Sequence, residues 1–161
     1  MTVIPSLYPV PKQEKELWCW AAVSNYVADT LGSGPGQCGV AKLCIPTACS
    51  GVCAEPDCDT EHFLESALQA VGHFGHGIVG PLTSAQVLKE IDAGRPVGVR
   101  IEWSGQGVGH FLAIFGYIVM GASPSYYVYD PAHGSLDVVS PYSLTHSYQA
   151  TGKWTHSYFT A

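Results

Sequence analysis

The sequence predicts an α+β fold, because segments with helical spacing fill its first half and β-branched, aromatic runs fill the second. Gly and Pro clusters punctuate the two halves, which sets the element boundaries. Cysteines are segregated as well: five of the six fall between Cys38 and Cys58, and Cys19 stands alone. A length of 161 residues makes one domain, 1–161, able to bury roughly 68–70% of its unfolded surface in a single core.

Residues 1–11 carry Pro5, Pro9 and Pro11 and read as an extended surface arm, too rich in proline for a helix or central strand. A helix begins near Trp18. Its apolar face is Val23, Tyr26, Val27 and Leu31, and Gly32-Ser33-Gly34-Pro35-Gly36 stops it. Residues 37–59 show neither helical nor strand periodicity, so 32–59 is expected to be a Cys-rich loop insertion. A second helix presents Phe63, Leu64, Ala67, Leu68 and Val71 and ends at Gly72; the Gly-rich stretch 72–77 is expected to be mobile. Thr83 and Gln86 have capping-box spacing and open a third helix through Val87, Leu88 and Ile91 to Gly94.

Val97 to Trp103, His110 to Val119, Tyr126 to Asp130 and Leu136 to Val139 then read as consecutive antiparallel strands, with a turn over residues 120–125. Ser140-Pro141 starts a short helical turn, and Trp154 to Phe159 a closing strand. No segment repeats. A net charge of −6 with seven Lys plus Arg argues against a nucleic-acid surface. Residues 1–17 lack the apolar segment of a signal peptide, and no apolar run reaches membrane-spanning length.

Cys19 heads the first predicted helix, where the helix N-terminus and a neighbouring imidazolium favour the reactive thiolate; the bland reading is a buried structural cysteine between Trp18 and Trp20. Of seven histidines, His110 is the best base. Gly107-Val108-Gly109 gives it a closely approaching backbone, and Phe111 to Phe115 seat it at the mouth of a buried strand. Asp130 ends the next strand, so a hairpin makes it a neighbour of His110, placed to accept the Nδ1 proton. Gln13, six residues before Cys19, supplies a side-chain N–H for an oxyanion, with the Cys19 backbone N–H as second donor.

Gln13, Cys19-Trp20, His110 and Asp130, in this order and with this Gln-to-Cys spacing, resemble the papain-like cysteine proteases. Gly94-Arg95-Pro96-Val97, Gly109-His110-Phe111, Gly116-Tyr117 and Tyr129-Asp130-Pro131 look most like the compact bacterial branch that includes effector proteases of plant pathogens. Two positions depart from papain: Glu16 replaces a Cys three residues before the nucleophile, and Asp130 replaces Asn. The resemblance implies an N-terminal helical part, with the nucleophile at the start of the central helix, packed on a C-terminal antiparallel sheet. It also implies a monomeric cysteine endopeptidase acting on protein or peptide substrates, without cofactor, nucleic acid or membrane. Two alternatives stay open: an acyltransferase on the same fold, and an inactive binding module.

Cys38, Cys44, Cys49, Cys53 and Cys58 are expected to form two disulfides with one thiol left over; their spacing also admits zinc at its loose end, or plain thiols. Bridges point to an oxidising compartment and a secreted or exported protein, with a cytoplasmic one as alternative. His73 and His76, three apart, are weighed as metal ligands and set aside because their loop is Gly-rich.

Overall fold

The computed structural model describes residues 1–5, 9–103, 107 and 109–161. Part of the predicted arm, residues 6–8, and Val108 of the predicted seat for His110 lie outside the described residues. Among these, five α-helices pack on a seven-stranded antiparallel sheet, the predicted α+β class.

The arm joins the sheet. Its β1 (Thr2–Val3) pairs with Tyr117 and Gly116, and Ile4 is buried in the core. The central helix α1 (Cys19–Leu31) begins one residue after Trp18, as its sequence pattern requires. Burial runs from Trp20 to Ala28 on every side, wider than the predicted face. Tyr26 stacks against Phe115 at 4.6 Å and Tyr129 at 4.4 Å, tying the helix to the sheet.

The segment 32–59 is more than a loop. It contains α2 (Gln37–Cys44), which buries Val40 and Ala41 against α1, and a 3-10 turn at Pro56–Cys58. Eight residues are too few to display a period, and Gly39 weakens the helix signal. That glycine is needed, since a Cβ there would lie 2.7 Å from Pro35 Cβ. Helix α3 (Leu64–Ala70) buries Leu64, Ala67 and Leu68, while Phe63 precedes it as the cap residue and is 68% exposed. The stretch expected to be mobile forms strand β2 (Phe74–Val79).

Helix α4 (Ser84–Asp92) opens with the predicted box: Thr83 accepts from the Gln86 N–H, and the Gln86 side chain accepts from the Thr83 N–H. Strands β3 (Val97–Trp103), β4 (Gly109–Met120), β5 (Ser123–Asp130) and β6 (Ser135–Val139) form the predicted meander. The β4–β5 turn is tighter than 120–125, because Met120 already pairs with Ser123. After α5 (Pro141–His146), capped by Ser140, strand β7 (Gly152–Thr160) enters between β2 and β3. The sheet order is therefore β2-β7-β3-β4-β5-β6, with β1 beside β4.

Candidate active site

Cys19 is the first residue of α1, so its backbone N–H has no carbonyl partner within the helix. Opposite it, β4 presents His110, which lines one cleft together with Cys19. The β4–β5 hairpin then sets His110 Nε2 2.8 Å from Asp130 Oδ1. Pairing by Nε2 corrects the sequence expectation: the ring turns so that Nδ1, not Nε2, is left for the sulfur. A residue pattern carries no information about which ring nitrogen faces which neighbour.

The Asp130 carboxylate is buried, and four groups surround it. Oδ1 meets His110 and accepts from the Ala132 N–H at 3.0 Å; Oδ2 accepts from the Tyr148 hydroxyl at 2.7 Å and the Gln149 amide at 3.2 Å. Burial pushes the carboxyl upward, but the bond and charge of His110, with Tyr148 and Ala132, hold it below its ordinary value. For His110 the balance is similar. Burial works against the imidazolium, yet bonds to Asp130 and Cys19 outweigh it and raise the pKa to about 9.

Tyr148 and Gln149 escaped the sequence reading. They lie in the turn between α5 and β7, where Gln149 and Ala150 take positive φ of 45° and 82° without being glycine. No turn signal marks them. Trp103, at the end of β3, stacks near the imidazole at 5.7 Å and was likewise read only as strand.

Gln13 sits on the loop leading into α1, held by its own N–H donating to Pro131 O at 2.8 Å. Its amide NH₂ donates to Lys15 O at 2.9 Å and Glu16 O at 2.5 Å, and its Oε1 is buried with no hydrogen-bond partner. The spacing to Cys19 thus brings Gln13 to the loop, with its donors turned onto the loop's own carbonyls.

Two clefts meet at Cys19. One, about 330 Å³, is lined by Trp20, His62, Phe63, Arg100, Gly109 and Phe111 among others. The other, about 200 Å³, is lined by Trp103, His110, Asp130, Ala132 and Gln149, with Glu16 and Glu61 at its acidic side. Leu17 and Glu61 border both.

The predicted cysteine bookkeeping is met by Cys38–Cys53 and Cys49–Cys58 bridges, with Cys44 and Cys19 free. Cys49, Cys53 and Cys58 bring their sulfurs together, but each is committed to a bridge. The crosslinked segment holds the loop before Cys19 from outside. Cys58 O accepts the Trp18 indole N–H at 2.7 Å, Asp59 Oδ1 accepts the Leu17 N–H at 2.9 Å, and Thr60 O accepts the Trp20 indole N–H at 2.9 Å. Buried Gln37 of α2 bonds the loop again, from Glu14 N and to Lys12 O, both at 2.9 Å. His73 contacts Ala161 O, and His76 stacks on Phe159 at 4.1 Å, so the two do not converge on one point.

No curated protein matches the chain. The family model described as Peptidase_C39 like family matches residues 10–159, from the loop before Cys19 to the last strand.

Proposed function

This chain belongs to the Peptidase_C39 like family, and from that premise we propose that it is a cysteine endopeptidase working through Cys19, His110 and Asp130. Family membership makes proteins or peptides its substrate class. The observation that supports the residue assignment is one cleft lined by Cys19, His110 and Asp130, with His110 Nε2 2.8 Å from a carboxylate that four groups surround.

The Cys19 sulfur attacks the substrate carbonyl, forming an S–C bond, while the Cys19 N–H at the helix start faces the developing oxyanion. Gln13 joins as second donor when its amide turns from the loop carbonyls. His110 gives its proton to the leaving nitrogen as the C–N bond breaks. Water then attacks the thioester, its proton passing to His110, and the acid product leaves with the thiolate restored. Asp130 fixes the ring and stabilises its charged form.

The effector branch and an exported location belong to the same proposal. Two disulfides are compatible with secretion, and among the described residues no helix is long and apolar enough to cross a membrane.

The test is stoichiometric alkylation. Carbamidomethylation confined by mass spectrometry to Cys19 should abolish cleavage of a peptide library in proportion to labelling; cleavage that survives full Cys19 labelling overturns the assignment. Cys44, the other free thiol, gives an internal control.

Asp130→Asn yields a pH prediction with a definite sign. His110 is the proton donor, so activity falls as pH rises through about 9. Removing the carboxylate charge leaves burial, which lowers the pKa, opposed only by Cys19, so the alkaline limb should move down by about 1 to 3 pH units. A pH profile of kcat/KM with an unmoved limb refutes it.

Tyr148→Phe keeps the buried ring and deletes one donor to Asp130. The carboxyl is then held down less, so the acid limb should rise, with kcat falling about tenfold and KM little changed. The Cys19 alkylation rate against pH reads the same limb without a substrate; superimposable profiles count against this role.

A further inference from the structure

Resting on the peptidase reading above, we propose that the 330 Å³ cleft is a subsite for the acyl half of the substrate that reads a side-chain carboxylate, with Arg100 as its specificity residue.

The direction of the substrate follows from the chemistry. The leaving nitrogen must take its proton from His110, so the leaving half lies in the cleft that His110 lines. The 330 Å³ cleft also reaches Cys19 but is not lined by His110, and is left to the acyl half.

Arg100 lies on β3, opposite Phe111 of β4, and both side chains line this cleft. Its Nη1 is used: it donates to Glu102 Oε2 at 2.8 Å and Thr155 Oγ1 at 2.9 Å. The Nε–H and the Nη2 protons have no hydrogen-bond acceptor among the described residues. These form the edge of the guanidinium that matches the two oxygens of a carboxylate.

The guanidinium is also held in place. A Cβ on Gly109 would lie 2.7 Å from Nε and 2.9 Å from both Cζ and Nη2, so the guanidinium packs closely against this glycine. The missing side chain at Gly109 leaves room for the guanidinium in this position, and Gly109 itself is outside the positive-φ set. With Nη1 anchored and one face covered, the fork is presented at the wall of the cleft at little further entropic cost.

The remaining lining fits a side chain with an apolar stem and an anionic tip. Phe63, Phe111 and Leu17 supply the apolar wall; His62, edge-on to Trp20 at 5.1 Å, is held toward its neutral form by burial. Glu61 stands exposed at the mouth and forms no ion pair with Arg100. Glu102 already pairs with Arg100 but is the more exposed partner, 44% against 21%, so water continues to solvate it when a second carboxylate arrives.

The experiment is a peptide library varied one acyl-side position at a time, read as the kcat/KM ratio of Glu to Gln. In the parent, one position should favour Glu over Gln by about 10- to 100-fold, the range of a hydrogen bond to a charged group. Arg100→Leu should bring that ratio to about one, and Arg100→Glu should replace the preference by one for Lys. Both substrates see the same preparation, so loss of folded protein cancels in the ratio. Should Arg100→Leu not fold, Arg100→Lys decides: a smaller but persistent Glu preference is expected, because an ammonium keeps the charge and loses the fork. The inference is overturned if no acyl-side position favours an acidic residue, or if the ratio is the same without Arg100. Cleavage without acidic preference defeats this inference alone, whereas a parent that cleaves nothing takes the peptidase assignment down with it.

Discussion

Cys19→Ala is expected to lower kcat/KM for peptide cleavage by at least about 10⁴-fold, since removing the nucleophile leaves only binding and oxyanion contacts. The fold should survive. Cys19 is half-buried at the helix start, and the flanking Trp18 and Trp20 keep their own bonds to Cys58 O and Thr60 O. The comparison is made on one peptide, with the circular dichroism of both proteins as the folding check. A variant retaining a tenth of parental activity would remove Cys19 from the reaction, and with it the roles of His110 and Asp130.

Breaking the Cys49–Cys58 bridge is the second large effect. A double Cys49→Ser, Cys58→Ser variant should lose about 2–4 kcal/mol of stability, measured by urea unfolding. Both positions are buried, so two hydroxyls would add unpaired polar groups to the loss of the crosslink. Activity should fall further than the folded fraction accounts for. The reason lies in the residues beside Cys58: they receive two indole N–H groups and one backbone N–H from the segment that carries Cys19. Loosening them leaves the nucleophile less well placed, and a displacement of about 1 Å costs on the order of 10²-fold in rate. Activity per folded molecule equal to the parent's would show that the crosslinked segment supports the fold and nothing more.

The site was legible in the chain to the extent that its chemistry rests on local pattern. Cys19 was marked by the start of an apolar helix, and His110 by bare glycine before a buried strand. Asp130 was marked by two strands short enough in connection to pair. Each is a short-range statement, and the hairpin register turned two of them into contact. What surrounds Asp130 was not legible. Tyr148 and Gln149 reach it from a turn whose positive-φ positions are Gln and Ala, so the one local signal a turn normally leaves was missing. Helix α2 and strand β2 were hidden by their glycines, which disfavour both structures intrinsically. Tertiary contact demands those glycines: at Gly75 a Cβ would crowd Phe159 O at 3.0 Å, and at Gly39 it would strike Pro35. The prolines of the arm hid β1 in the same way, since two residues of pairing need only a vacant edge of β4.

Strand β7 follows every other strand in the chain, yet it lies inside the sheet between β2 and β3. Its partners β2 and β3 have no edge to offer each other until it arrives, so the sheet closes through contacts far apart in sequence, which form slowly. The turn bearing Tyr148 and Gln149 lies immediately before it. During synthesis from the N-terminus, Cys19 is therefore made before the surroundings of Asp130. The donors that surround the Asp130 carboxylate thus join the chain only after Cys19, His110 and Asp130 are already in it.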